Sequence, residues 1–161
     1  MKLLYENEFE LINNHSSSNQ LKIGFKRAYR PVEYVRNQKE MVENFLKKDF
    51  FIPEKTPLRV DIYYYYPKPK SVKNSYPITR GTKDLDSTKA VLDALMTAGR
   101  QVNLKNKLVK VDRKGNAVGV NMFDDSQVID EYLKKRYWDK NVYGLKVKVF
   151  EYDWWANVYA Y

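Results

Sequence analysis

The residues best equipped for chemistry in this 161-residue chain are two pairs of acids. Asp84 and Asp86 lie in the stretch KDLDSTKAVLDAL, residues 83–95, with one residue between them and an apolar-faced helical pattern after them. Asp124 and Asp125 form the second pair, in FDDSQV. Acids at a helix start have a local use, capping the first turn and complementing its dipole. Four carboxylates brought together have another, because they would repel one another unless a divalent cation neutralised them. The chain holds no cysteine and a single histidine, His15. That composition excludes disulfides, thiolate zinc sites and cysteine nucleophiles, and leaves oxygen donors for any metal. Such donors suit a hard cation: Mg²⁺ or Mn²⁺ for work on phosphate, Ca²⁺ for a structural role.

The acids stand in a basic chain, with Lys+Arg 29 against Asp+Glu 20 and a formal net charge of +9. An excess of that sign favours a polyanionic partner such as nucleic acid, and serves solubility equally well. It is concentrated just before the first acid pair. The stretch PKPKSVKNSYPITRGTK carries Lys68, Lys70, Lys73, Arg80 and Lys83 and no acid. These residues could position a phosphate backbone without reading bases, or form a solvated loop. Tyr76, or an outward aromatic of the Tyr63 to Tyr66 run, could stack on an unpaired base, packing within the sheet being the competing use. Trp154 and Trp155 read as core or interface anchors.

The elements that must hold these groups follow from periodicity. Tyr5 to Ile12 predicts a first strand, the polar run NNHSSSNQ a loop, and LKIGFKRAYR a second short strand. From Glu33 to about Lys48, Val35, Val42, Phe45 and Leu46 recur at helical spacing, with Phe50 and Pro53 closing the helix. Leu58 to Tyr66, β-branched and aromatic between Pro57 and Pro67, predicts a strand. After the DLD stretch comes a helix with Val91, Ala94, Leu95 and Ala98 on one face and Gly99 as its stop. At about 100° per residue, Lys89 and Asp93 project opposite that stripe, with Asp86 on their side. LVKVDRKGNAVGV predicts a hairpin turning at Lys114-Gly115-Asn116. FDDSQVIDEYLKKRYW fits either a helix or a strand, and GLKVKVFEY predicts the final strand. Length and hydrophobic content fit a single domain over residues 1–161. The N-terminal apolar run is too short for a signal peptide, and no run reaches the roughly 18 residues of a membrane span, so a soluble, cytoplasmic protein without membrane contact is expected.

The order strand, basic loop, DLD, KAVLDAL, DDSQV, closing strand LKVKVFEY, from about Arg59 to Tyr152, resembles the RusA family of Holliday-junction resolvases, of phage or prophage type. The resemblance implies an α/β (α+β) fold with helices packed on a single mixed β-sheet. It implies a homodimer acting in a bacterial or phage-infected cell, and Mg²⁺-dependent paired nicks in four-way DNA junctions that leave 5′-phosphate and 3′-hydroxyl ends. It gives Asp84, Asp86 and Asp125 as essential carboxylates, with Asp124 matching the first acid of the second pair. Two departures stand out. The family's essential lysine lies four residues beyond the second acid, whereas Lys89 lies three beyond Asp86; offsets of three and four share a helix face. An insertion also occupies about residues 100–122, with six basic residues, among them Lys110, Arg113 and Lys114, against the single acid Asp112. It reads as a DNA-contacting arm or a solvated hairpin. A nuclease for other branched DNA and a non-catalytic DNA-binding module remain the competing readings.

Overall fold

A computed structural model describes residues 1–12, 22–24, 27–29, 32–49, 52–53, 55–71, 76–77, 88–105, 109–111, 113–114, 117–119 and 124–152. Strand β1, Lys2–Leu11, alternates Tyr5, Asn7 and Leu11 inward with Glu6, Glu8 and Glu10 outward, the period-2 pattern of a half-buried strand. The stretch expected to be one strand is two: β2, Lys22–Gly24, and β3, Arg27–Tyr29, pair antiparallel. Gly24 stands where the first of them ends, and glycine weakens a strand interior.

Helix α1, Val32–Phe45, turns Tyr34, Asn37, Met41, Val42 and Phe45 to the core. The expected stripe was displaced: Val35 is 56% exposed and Leu46 36% exposed. Tyr34, Asn37, Met41 and Phe45 form one row at offsets of three and four, and Val35 lies a further 100° around the helix. Two buried polar groups fasten the end of α1 to β1. Tyr5 Oη donates to Phe45 O at 2.9 Å, and Asn7 Nδ2 donates to Asn44 O at 2.9 Å and to Tyr5 Oη at 3.0 Å. Burial pushes the Tyr5 phenol up to about 12, against a smaller opposing effect of the Asn7 hydrogen bond.

Strand β4, Leu58–Pro67, buries Leu58, Val60, Ile62 and Tyr66 on one face. Helix α2, Lys89–Lys105, does not stop at Gly99 but runs through it. An interior glycine costs about 1 kcal/mol against alanine. Burial of Leu95 alone, at roughly 1.5–3 kcal/mol, outweighs that. Residues 100–105 of the expected insertion are therefore the end of α2, and the hairpin follows as β5, Val109–Val111, paired antiparallel with β6, Ala117–Gly119. A 3₁₀ turn, Asp125–Gln127, leads into β7, Val128–Trp138, which resolves the helix-or-strand ambiguity, and β8 is Tyr143–Glu151.

The main sheet has the order β1-β8-β4-β7, with β8 antiparallel to both its neighbours and β7 parallel to β4. This is the α+β fold with a mixed sheet that was expected. The inner faces of β1, β4 and β8 share one hydrophobic core with α1 and α2, and among the described residues no helix covers the opposite face. Among the described residues no helix is long and apolar enough to cross a membrane.

Candidate functional site

The second acid pair and the start of α2 both lie at strand β7. Asp124 and Asp125 stand immediately before it, and Thr88, two residues after Asp86, touches it from the start of α2. The Thr88 Oγ1 hydroxyl donates to Glu131 Oε2 at 3.0 Å. Its carbonyl accepts from the backbone N–H groups of Val91 and Leu92 at 3.0 and 3.1 Å, so Thr88 occupies the N-cap position. The N-cap of α2, which begins at Lys89, is therefore a threonine and neither aspartate of the DLD stretch, in place of the capping use open to acids at a helix start. Asp84 and Asp86 themselves lie outside the described residues, as do Lys73, Arg80, Lys83, Trp154 and Trp155.

At the second pair the two acids have different roles. Asp124 is the N-cap of the 3₁₀ turn: its Oδ1 accepts from Ser126 N at 3.0 Å while Gln127 Oε1 accepts from Asp124 N at 2.8 Å, a reciprocal capping box. The Ser126 backbone N–H, its hydroxyl and, more weakly, Arg100 hold the Asp124 carboxyl below the usual carboxylate range. Asp125 opens the turn and is exposed. Gln127 Nε2 also donates to Pro53 O at 2.9 Å and Thr56 O at 3.1 Å, tying the turn to the segment that enters β4. A pocket of about 390 Å³ lies there, lined by Lys55, Thr56, Pro57, Asp124, Ser126, Gln127 and Ile129.

Three strand residues at about 3.3 Å and three 3₁₀ residues at about 2.0 Å put at most about 16 Å of chain between Asp125 and Glu131. Lys89, the first residue of α2, is exposed beside this segment. Among the described residues no three acids or histidines gather as a metal site. Glu131 is the carboxylate that sequence reasoning missed. Only the parallel register Val60↔Glu131 and the start of α2 reveal its neighbour.

The basic residues are not all together. Lys68 and Lys70 are exposed just past β4, at the end where Pro67 pairs with Trp138, whereas Asp125 is at the Leu58 end, about 30 Å away along the strand. Arg113 and Lys114 are exposed between β5 and β6; Lys110 belongs to β5, its side chain lying outside the described residues.

The open face of the sheet carries a second group of cations. Arg59 Nε donates to Asp61 Oδ1 at 2.8 Å, and the Arg59 guanidinium lies 5.3 Å from the Tyr132 ring centroid. Lys134 Nζ lies 4.2 Å from the same centroid, and the Arg136 guanidinium lies 5.2 Å from that of Tyr76. Trp138 stacks on Tyr65 at 4.6 Å and 4°, its Nε1 donating to Val142 O at 2.7 Å. The expected outward aromatics are thus Tyr76 and, with half-buried rings, Tyr63 and Tyr65, while Tyr66 is buried. Compared with known proteins, the chain matches no family model and no curated protein.

Proposed function

We propose that the chain is a Mg²⁺-dependent, structure-selective endonuclease that resolves four-way DNA junctions by paired nicks, acting as a homodimer. The observation that carries this reading is the convergence on β7: the helix that follows the DLD stretch is hydrogen-bonded to the strand that the Asp124–Asp125 pair opens. Asp124 is engaged in its cap, and Asp125, exposed at the start of the turn, is the acid of that pair that the resemblance to the RusA family makes essential. The donor set is entirely carboxylate, hard oxygen that suits Mg²⁺, or Mn²⁺ in its place. Asp84, Asp86 and Asp125 would hold the ion. When bound, Mg²⁺ supplies charge stabilisation at phosphoryl oxygens and a more acidic water for in-line attack.

The chain's own residues do the rest. Lys89 offsets negative charge developing on the phosphate. Lys68, Lys70, Lys73, Arg80 and Lys83, with Lys110, Arg113 and Lys114 of the hairpin, hold the backbone of the junction arms. The 30 Å between Lys68 and Asp125 suits a branched duplex better than a small substrate.

The test is a synthetic four-way junction incubated with the protein in Mg²⁺ or in EDTA. Cleavage is expected only with metal. Asp86→Asn should abolish it while junction affinity holds or tightens, because one negative charge facing the phosphates is removed. Thr88 keeps the N-cap, so this substitution leaves the start of α2 capped. A variant that folds, binds and cuts at the wild-type rate overturns the assignment. Junction binding without cleavage by the wild type, in either condition, favours the non-catalytic DNA-binding module.

A further inference from the structure

The open face along β4 and β7 has a composition that the acid site does not use. Alternation on β7 puts Tyr132, Lys134, Arg136 and Trp138 on one face, a strip about 20 Å long in which aromatic rings and cations interleave. Arg59 on β4 and Tyr76 extend it sideways. Tyr132 is 42% exposed and Tyr76 55% exposed. Among the described residues no carboxylate lies within ion-pair distance of Lys134 or Arg136; each lies over a ring instead.

We propose that this face binds single-stranded nucleic acid, with bases stacking on Tyr132 and Tyr76 and phosphates meeting Lys134 and Arg136. Aromatic rings spaced among cations are the composition of strand-tracking grooves, where stacking tolerates any base because every base has a π-face. The cations now resting on the rings do not block it. A cation–π contact at an exposed ring is weaker than a base–aromatic stack, and a long flexible side chain can turn from ring to phosphate. The field is already favourable to an anion: hydrogen bonding and charge from Lys134, then charge from Arg59 and Arg136, hold the Tyr132 phenol below its ordinary range. A second copy of the chain fits worse, since a twofold contact through this strip would set its cations against themselves. The inference does not depend on cleavage.

The experiment is fluorescence anisotropy of labelled oligodeoxythymidylate and oligouridylate of equal length with the full chain in EDTA, which removes catalysis from the readout. The wild type should bind, and Tyr132→Ala should weaken binding about 5- to 100-fold while Tyr132→Phe restores it. Lys134→Gln combined with Arg136→Gln should lower the salt slope by about 1.4, near 0.7 per single-strand phosphate contact. Lys146→Gln, whose cation is already paired with glutamates, should change little. Binding of either probe suffices for the proposal, and the tighter one identifies the sugar preferred. Absence of wild-type binding, or unchanged affinity in a folded Tyr132→Ala variant, overturns it. So does sedimentation showing a wild-type dimer that Tyr132→Ala makes monomeric, which would assign the face to a second copy.

Discussion

Along the open face of the sheet, Lys146 and Lys148 on β8 reach Glu6 and Glu8 on β1, whereas Lys134 and Arg136 on β7 lie over tyrosine rings. The first half neutralises itself: Lys146 Nζ is 3.6 Å from Glu6 and 3.8 Å from Glu8, Lys148 Nζ is 3.9 Å from Glu6, and Lys140 is 3.2 Å from Glu10. In the second half, among the described residues, only Arg59 has a carboxylate, Asp61, at ion-pair distance. Both halves carry cations on the same pleat, so what separates them is the partner across the strand. The chain's positive charge is therefore uneven at the scale of one sheet. Two tyrosines register the difference. Tyr65 is pushed up, first by burial and then by Glu8, while Tyr132 is pulled down, first by its hydrogen bond with Lys134.

The sharpest way to break the contrast is at the seam. The Trp138 indole reaches from β7 across Tyr65 to Gly144 on β8, where an added Cβ would come within 2.1 Å of Trp138 Cη2. Gly144→Ala must lift the ring off its stack and off Val142 O, with an expected loss of about 1–3 kcal/mol, read by chemical denaturation followed through tryptophan fluorescence. Unchanged stability would mean the ring is not anchored there. A milder change makes the quiet half resemble the active one. Glu6→Gln with Glu8→Gln should cost no more than about 1 kcal/mol per exposed pair. It should steepen the salt dependence of oligodeoxythymidylate binding yet leave affinity at high salt unchanged, because charge arrives without rings. Tightening that survives high salt would show that the rings are dispensable.

The smallest effect is spectroscopic. In an absorbance titration of tyrosinate, Tyr132 should ionise before the ordinary tyrosine range and Tyr65 after it, and Tyr132→Phe should remove the earliest phase. The linkage signs are opposite. A depressed folded pKa contributes stability above the unfolded value near 10 and loses it as pH falls through the folded value, so Tyr132 contributes nothing at neutral pH. A raised one, as in Tyr65, contributes fully below about 10 and loses it as pH climbs through the folded value. Persistence of the early phase in Tyr132→Phe would place it on another residue.

Much of this architecture was legible beforehand, and the misreadings have physical causes. β4 is marked by its β-branched and aromatic content between two prolines, β1 and β8 stand where the sequence predicts strands, and the β5–β6 hairpin announces its reversal through Lys114-Gly115-Asn116. β7 is an edge strand with no fully buried side chain, which leaves its apolar residues at spacings that suit either period. Gly99 looked like a stop because a local rule cannot register the buried surface on both sides of it. The capping role of Asp124 is written in Asp124-Asp125-Ser126-Gln127, an N-cap acid with glutamine three residues on, a pattern that an adjacent pair of acids shares with a metal site. Thr88 and Glu131 are far apart in the chain, and nothing short of the β4–β7 register brings them together. For Asp84 and Asp86 the reading rests on spacing and resemblance.

The strand order β1-β8-β4-β7 also sets when the molecule can become a molecule at all. In this sheet the one ladder between strands consecutive among the four is the parallel β4–β7 pair, which needs a long crossover, and β1, the first to be synthesised, waits for β8, the last of the four. No hairpin can seed the sheet and zip outward, and every ladder must close a long loop before its contacts reward it, the topology associated with slow folding. Until β8 leaves the ribosome, β1 and one edge of β4 have no ladder partner. A nascent chain halted before Tyr143 can therefore close at most the β4–β7 ladder, and should remain exposed to chaperones and proteases along β1 and the open edge of β4.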